Sequence, residues 1–174
     1  MKKKLKIKNS FLISVDKKKD FRGYFARLFC KDTIKKMGIS NTIKQLNLSK
    51  TTKKGTIRGL HYQKGKYAET KRIIVVKGKI FDVSVDLRKK SKTYLKKNLI
   101  YLSEKKLQML VIPKGVAHGY QSISNDSIIM YLNDNNYSKT NEFGVRYNDK
   151  KIKINWPIKK IFLSSKDKNY PDLN

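Results

Sequence analysis

Residues 71–87, KRIIVVKGKIFDVSVDL, decide the fold class of this chain. β-Branched residues are frequent in both halves of the stretch, which is typical of buried β-strands. Gly78 separates the halves and has the conformational freedom that a tight turn requires. We therefore predict two strands, 71–76 and 79–87, that are joined at Gly78 as a tight hairpin.

Further short strand candidates lie on both sides of this predicted hairpin. They alternate with turns, and the segment from Asp32 to Lys36 has the pattern of a short helix. The main strand candidates cover residues 5–15, 26–29, 42–48, 98–102, 107–112, 128–132 and 145–148. Many short strands with one or two short helices indicate an all-β protein, either a barrel or a sandwich.

The length of 174 residues fits a single domain, residues 1–174, with a sizeable core. The single cysteine, Cys30, excludes an internal disulfide and suits a reducing cytoplasm. The apolar run in the basic N-terminal segment extends only from Phe11 to Val15, which is too short for a signal peptide. Since no stretch is long enough to span a membrane, we expect a soluble cytoplasmic protein.

The net charge of +29 raises the question of nucleic-acid binding. However, the basic residues are 36 lysines and only 6 arginines, and the lysines are spread along the whole chain. Arginine is the residue that makes bidentate contacts to phosphates and guanines. The composition therefore argues against specific nucleic-acid recognition, although a positive field would steer a small anionic substrate towards its site.

The chain has only two histidines, each in a segment rich in glycine and aromatic residues. His61 lies in RGLHYQ, residues 58–63, and His118 lies in IPKGVAHGY, residues 112–120. A neutral imidazole is a suitable general base near pH 7. A histidine on an apolar strand is also often a core residue with a satisfied ring, so these segments alone leave both interpretations open.

One predicted strand has a polar face. Residues 42–48 alternate so that Ile43, Gln45 and Asn47 share one side. This side either faces water or lines a site inside a barrel, and the alternation does not distinguish the two. The chain has no glycine-rich phosphate loop, no paired-cysteine zinc pattern and no G-x-S-x-G nucleophile turn.

Six segments together resemble a known family, the dTDP-4-dehydrorhamnose 3,5-epimerases, which are nucleotide-sugar epimerases of the cupin superfamily. The resemblance extends from about residue 20 to residue 174, and the segments occur in the family's order and spacing. They are RGLHYQ (58–63), KGKIFDVSVDLRKKS (77–91), LVIPKGVAHGYQ (110–121), YLNDNNYS (131–138), INWPI (154–158) and LSSKD (163–167).

The resemblance implies an all-β cupin jelly-roll barrel that epimerises C3, C5 or both of a nucleotide-linked 4-keto-6-deoxy sugar, in dTDP-rhamnose and polysaccharide biosynthesis. Inverting a carbon next to a ketone requires a base on one face, an acid on the other and stabilisation of an enolate. By this resemblance His61 is the base, Asp167 orients its ring, Lys71 stabilises the developing oxyanion and Tyr131 is the acid.

The resemblance also implies a set of substrate contacts and a homodimer. The expected substrate-binding residues are Arg22, Gln45, Asn47, Arg58, His118, Glu142 and Lys166. The first metal-binding motif of cupins requires a His-x-His pair, whereas this chain has His61-Tyr62-Gln63. Because two histidines cannot supply a three-histidine site, we expect a metal-free site without a cofactor, although carboxylates could replace imidazoles.

Two positions depart from the family pattern. Asn136 stands where an aromatic residue usually stacks on thymine, with Tyr137 beside it, and Arg27 stands where a glutamate contacts the substrate. These departures leave the nucleotide and the sugar open but keep the acid and base residues. Two alternatives also stay open: a related sugar-nucleotide cupin, such as a single-centre epimerase or a 3,4-ketoisomerase, and a non-catalytic basic binding module.

Overall fold

The computed structural model describes residues 1–173, which form thirteen β-strands and two short α-helices. The strands are β1 (Lys2–Lys4), β2 (Phe11–Ser14), β3 (Lys17–Asp20), β4 (Gly23–Ala26), β5 (Gln45–Thr51), β6 (Ile57–Gln63), β7 (Lys71–Lys77), β8 (Lys79–Asp86), β9 (Lys97–Ser103), β10 (Gln108–Ile112), β11 (Val116–Ser122), β12 (Ser127–Asn133) and β13 (Glu142–Gly144). The helices are α1 (Lys31–Lys36) and α2 (Ser165–Lys168), with 3₁₀ turns at Gly65–Tyr67 and Lys139–Asn141. Asn174, the last residue of the predicted domain, lies outside the described residues.

Two antiparallel sheets form the walls of the barrel. The six-stranded sheet has the order β1-β2-β10-β7-β12-β5, and the five-stranded sheet has the order β13-β6-β11-β8-β9. Strands β3 and β4 form a separate hairpin. The prediction of an all-β jelly-roll barrel with one or two short helices is confirmed. Within residues 1–173, no helix is long and apolar enough to cross a membrane.

The prediction of a tight hairpin at Gly78 is wrong. Strand β7 pairs with β10 and β12, whereas β8 pairs with β11 and β9, so the two strands lie in different sheets. Gly78 has a φ of +79°, and a Cβ atom there would lie 2.5 Å from Ser124 Oγ. The glycine is therefore the corner at which the chain crosses from one wall to the other. Local sequence cannot show which partners the two strands choose.

Apolar side chains fill three layers. The central layer lies between the sheets and contains Ile73, Ile80, Leu110 and Ile129, with Tyr120 among them. The outer face of the five-stranded sheet is covered by the C-terminal segment, including Ile152 and Trp156. The outer face of the six-stranded sheet is covered by the region of α1, including Ile34 and Ile39. Much of each outer face is therefore covered, and the polar side chains described below lie between the sheets.

Candidate active site

A cavity of about 270 Å³ between the two sheets contains both histidines. All four predicted catalytic residues line it: His61, Lys71, Tyr131 and Asp167. Three of the predicted binding residues line it as well: Asn47, Arg58 and His118. Residues that are more than one hundred positions apart in the sequence therefore meet in one chamber.

His61 is held by Asp167. The Nε2 atom of His61 lies 2.5 Å from Oδ1 of Asp167, and the side chain of Asp167 is only 6% exposed. Burial opposes the charge of this carboxylate, but the hydrogen bond and the attraction to His61 outweigh burial and lower the pKa of Asp167. A neutral imidazole that donates its Nε2 hydrogen to a carboxylate retains its lone pair on Nδ1.

The carboxylate of Asp167 is itself fixed by the start of α2. Ser164 is the N-cap residue of this helix, and its Oγ accepts a hydrogen bond of 3.1 Å from the backbone N–H of Asp167. Serine is a favourable N-cap residue because its oxygen satisfies a free backbone donor. The local sequence Ser164-Ser165-Lys166-Asp167 therefore turns the carboxylate towards His61.

His118 has its own carboxylate partner, Asp82. His118 Nε2 lies 2.7 Å from Asp82 Oδ2, and both side chains are buried. Within residues 1–173, the other oxygen of Asp82 is buried without a hydrogen-bond partner. Asp82 was not predicted from the sequence, although a carboxylate within an apolar strand such as β8 signals a buried polar partner.

Strands β6 and β11 place Arg58, His61 and His118 on the side of the sheet that faces the cavity. His61 and His118 are paired directly, and the register shifts so that Arg58 is opposite Tyr120. Residues three apart on a regular strand point to opposite faces, but this irregularity lets both Arg58 and His61 line the cavity. Gly59 has a φ of +112°, and a Cβ atom there would lie 2.6 Å from the His118 carbonyl oxygen.

Lys71 forms a buried ion pair with Glu69. Its Nζ lies 3.5 Å from Glu69 Oε1 and donates a hydrogen bond of 3.3 Å to the His61 carbonyl oxygen. Burial lowers the pKa of Lys71, and the negative charge of Glu69 opposes this change. Burial likewise raises the pKa of Glu69, which Lys71 opposes. Glu69 was not predicted as a site residue, and no motif singles it out in the loop before β7.

Tyr131 lies in the wall opposite His61. It belongs to β12 in the six-stranded sheet, whereas His61 belongs to β6 in the five-stranded sheet. Its ring contacts that of His118 edge to face, with 6.2 Å between the ring centres. Burial, followed by the proximity of Tyr120, raises the pKa of Tyr131 well above its ordinary value. The phenol is therefore protonated and can act as a proton donor.

Two predicted binding residues, Glu142 and Lys166, form an ion pair beside the cavity. Glu142 Oε2 also accepts a hydrogen bond of 2.8 Å from the hydroxyl of Tyr137. Burial opposes the charge of Glu142, but these hydrogen bonds outweigh burial and lower its pKa. The pair lies outside the cavity lining, but the charge of Glu142 opposes the lowering of the Lys71 pKa by burial.

Gln45 and Arg22 also lie outside the lining of the cavity. Gln45 accepts a hydrogen bond of 3.3 Å from the side-chain amide of Asn47, so it supports a lining residue. Arg22 is at the exposed tip of the β3–β4 hairpin, where it pairs with Asp20. Gln45 is therefore connected to the cavity lining through Asn47. Arg22 does not line the cavity of its own chain.

The two residues that depart from the family pattern, Asn136 and Arg27, lie in different parts of the structure. The carbonyl oxygen of Asn136 accepts a hydrogen bond of 3.1 Å from Gln63, at the end of the strand that carries His61. Arg27 lines a separate cavity of about 290 Å³, together with Cys30. Asn136 is therefore close to the site, whereas Arg27 contributes to another part of the surface.

Four lining residues were not predicted from the sequence: Leu48, Ser49, Tyr120 and Asn133. The side-chain oxygen of Asn133 is buried without a hydrogen-bond partner among residues 1–173. In the described part of the chain, no group of three His, Cys, Asp or Glu side chains is arranged to hold a metal ion.

Comparison with known proteins agrees with the geometry. The family model described as dTDP-4-dehydrorhamnose 3,5-epimerase matches residues 4–174. A protein of that name from Shigella flexneri is 41% identical over 151 residues, which cover 86% of this chain and 83% of the relative.

Two solved structures are similar to this chain over nearly its whole length. The Bacillus anthracis dTDP-4-dehydrorhamnose 3,5-epimerase, with TDP and PPi bound, is 39% identical with a TM-score of 0.93, covering 95% of this chain and 94% of that chain. The Legionella pneumophila dTDP-6-deoxy-D-glucose-3,5-epimerase, in complex with dTDP-4-keto-L-rhamnose, is 31% identical with a TM-score of 0.94, covering 99% of this chain and 92% of that chain. With its sequence, its barrel and its two-walled cavity all in agreement, this chain belongs to the dTDP-4-dehydrorhamnose 3,5-epimerase family.

Proposed function

We propose that the chain is an isomerase that epimerises C3, C5 or both of a dTDP-linked 4-keto-6-deoxy sugar, of the type dTDP-4-dehydro-6-deoxy-D-glucose to dTDP-4-dehydro-L-rhamnose. One observation carries the proposal: His61 and Tyr131 line one cavity from opposite sheets. Inversion requires a base and an acid on opposite faces of the same carbon. A sugar ring held between the two walls would meet this requirement.

The first step is removal of a proton from the carbon next to the ketone. His61 takes this proton on Nδ1, because Nε2 is bonded to Asp167. The resulting imidazolium is stabilised by the Asp167 carboxylate, as in other His–Asp pairs. The low pKa of Asp167 keeps this carboxylate charged at neutral pH.

The electron pair left by the proton moves to the ketone oxygen and forms an enolate. Lys71 lines the cavity beside His61, and its ammonium stabilises the oxyanion. Such a charge is most effective in a site shielded from water. Glu69 favours the protonated state of Lys71 in this buried position.

The final step is protonation from the opposite wall. Tyr131 donates its phenolic proton to the carbon of the enolate, and the ketone is restored with the carbon inverted. A phenol with a raised pKa is the donor in this step. Each of these steps uses side chains of the chain itself.

The cavity also contains groups suited to the anionic substrate. Arg58 and Asn47 line it beside the acid and base residues, and His118 contacts the ring of Tyr131. Glu142 and Lys166 are available beside it for the nucleotide or sugar. The net charge of +29 increases the local concentration of anions.

Deuterium exchange tests this function. The protein is incubated in D₂O with dTDP-4-keto-6-deoxyglucose, and C3 and C5 are followed by NMR. We expect deuterium to enter at C3, C5 or both together with formation of the inverted sugar. Exchange at only one carbon would assign a single-centre epimerase, and movement of the keto group to C3 would assign a ketoisomerase. Absence of exchange with several nucleotide sugars would exclude the proposal.

We also propose that the single domain, residues 1–174, works as a cytoplasmic homodimer. Edge strand β5 exposes Leu46 and Leu48, at 64% and 67%, and the tip of the β3–β4 hairpin exposes Phe21 at 98%. Exposed apolar residues on an edge strand favour pairing with a second copy. We propose that the hairpin of the second copy packs against β5, which also borders the cavity. Arg22 would then serve the partner's cavity.

A mixing experiment tests the role of Arg22. His61→Ala and Arg22→Ala variants are unfolded together and refolded at equal amounts. If Arg22 serves the partner, a mixed dimer contains one intact site, and about one quarter of the wild-type activity returns. If Arg22 serves its own cavity or none, the activity of the mixture stays at the average of the activities of the two variants. Sedimentation measurements on the wild type and on Leu46→Lys test the dimer itself.

A further inference from the structure

Tyr120 is a buried hydroxyl that the steps above do not use. It lines the cavity from β11, is 1% exposed, and shares this cavity with Tyr131. On the basis of the proposed function, we propose that Tyr120 is a relay residue that reprotonates Tyr131 after each inversion. The proton enters through the hydroxyls of Ser49 and Thr51 on edge strand β5.

The hydroxyl of Tyr120 contacts two hydroxyl groups of β5. The Tyr120 hydroxyl lies 2.8 Å from Thr51 Oγ1 and 3.4 Å from Ser49 Oγ. Thr51 is buried, whereas Ser49 is half-buried on a strand at the edge of its sheet. The series therefore runs from Tyr120, which lines the cavity together with the acid, to Ser49, which is partly exposed on edge strand β5.

Arg58 determines the direction of one hydrogen bond. Its Nε–H, which can only donate, donates to Thr51 Oγ1 at 3.1 Å. The hydroxyl hydrogen of Thr51 is then available for Tyr120, because a hydroxyl both accepts and donates. The charge of Arg58 also favours the ionised form of Tyr131. Arg58 therefore aligns the relay and stabilises the negative charge that passes along it.

Each turnover must return a proton to Tyr131. Each inversion removes one proton from Tyr131, while the proton taken by His61 leaves on the opposite wall. In the relay, the phenolate of Tyr131 takes the proton of Tyr120, and Tyr120 takes one from Thr51 or Ser49. That hydroxyl takes one from water. The proton that enters here balances the proton that His61 releases to solvent, so the protein returns to its starting state.

If Tyr120 had only a structural role, its hydroxyl would need only one hydrogen-bond partner. A buried tyrosine hydroxyl is satisfied by one hydrogen-bond partner. Tyr120 has the hydroxyls of Thr51 and Ser49 within reach, in addition to its position in the same cavity as Tyr131. The experiment must therefore separate loss of proton return from loss of packing.

The test is Tyr120→Phe in the full chain, which removes the hydroxyl and keeps the ring. Rapid-quench measurements follow the inverted sugar during the first and later turnovers. We expect a burst of one inversion per site at the wild-type rate, followed by a steady rate about tenfold lower. Tyr101→Phe, on the exposed side of β9, is the matched control and should behave as the wild type.

Other outcomes overturn the relay. A steady rate equal to that of the wild type would show that Tyr120 does not return protons. A first turnover slowed as much as the later ones would show that it only holds Tyr131 in position. Thr51→Ser retains a hydroxyl, so it should recover at least part of the rate that Thr51→Val loses. Equal rates for these two variants also count against the relay.

The proposed function is tested separately by the wild type. If the wild-type protein exchanges and inverts the sugar, the function stands whatever Tyr120→Phe does. If the wild type neither exchanges nor inverts it, the proposed function fails and the relay fails with it.

Discussion

His61 and His118 lie directly opposite each other on β6 and β11, and each bonds through Nε2 to a carboxylate, Asp167 or Asp82. The two pairs differ in access to the solvent. The side chain of His61 is 28% exposed, whereas that of His118 is 4% exposed. The same pair of groups therefore occurs twice, and we expect only the accessible pair to remove a proton from the substrate.

This difference can be measured with matched variants. Asp167→Asn should lower kcat by about 10²–10⁴, because asparagine neither fixes the tautomer of His61 nor stabilises its charged form. Asp82→Asn should act mainly on KM, because His118 is a predicted binding residue. Steady-state kinetics and deuterium exchange of both variants check this prediction. Equal losses of exchange would contradict the division of roles.

Replacing the acid should separate the two halves of the reaction. In Tyr131→Phe, we expect inversion to fall by about 10²–10⁴, the usual contribution of a general acid, while exchange at the carbon facing His61 falls much less. NMR in D₂O measures both quantities in one sample. Parallel loss of exchange and inversion would mean that Tyr131 is required for proton removal as well.

The Glu69–Lys71 pair predicts a shift in pH dependence. Burial lowers the pKa of Lys71, and Glu69 opposes this lowering. Glu69→Gln removes the opposing charge, so the pKa of Lys71 should fall further and the ammonium should be lost at a lower pH. The alkaline decline of kcat/KM should then begin at a lower pH than in the wild type. Glu104→Gln, in the turn after β9, is the control, and an unchanged alkaline decline in Glu69→Gln would remove Glu69 from the mechanism.

Asp86 should contribute to stability rather than to catalysis. Its carboxylate accepts hydrogen bonds from Arg88, Ser91 and Thr93. Burial opposes its charge, but these hydrogen bonds outweigh burial and lower the pKa from 3.8 to about 2. Each pKa unit corresponds to about 1.4 kcal/mol, so Asp86→Asn should lower the free energy of unfolding at pH 7 by about 2 kcal/mol.

The sign of this effect follows from the lowered pKa. The stabilisation is complete above the unfolded value of 3.8 and is lost as the pH falls towards about 2. Urea unfolding of the wild type and Asp86→Asn at several pH values should give curves that converge in acid. A constant difference would mean that packing, and not charge, accounts for the loss. Asp16→Asn, at an exposed position, is the control.

The sequence predicts the candidate catalytic residues better than their surroundings. His61, Lys71, Tyr131 and Asp167 each lie in or close to a recognisable segment, and the structure brings them together in one cavity. Their roles remain predictions that the variants above test. Asp82 is hidden in an apolar strand, and its partnership with His118 depends on the register of β8 against β11. That register is a property of the folded sheets and has no signature in a single sequence.

Long-range pairing also explains the other differences. The β-branched runs around Gly78 correctly predict two strands, but each run pairs with strands that are distant in the sequence. The turn at Gly78 therefore joins strands of different sheets and not two strands that pair with each other. Arg22 resembles a binding residue in its local context, yet its location relative to the cavity depends on where the β3–β4 hairpin projects.

The crossing at Gly78 is one of the short connections between the two sheets, and it consists of one residue. The stretch on one side of it begins with Lys71, and the stretch on the other side carries Asp82, the partner of His118. Lys71 and Asp82 are therefore separated by a short, fixed length of chain. An inserted residue at this corner would change the alignment of Lys71 and of the buried His118–Asp82 pair together. The same seventeen residues, 71–87, thus set the separation of Lys71 from Asp82 as well as the class of the fold.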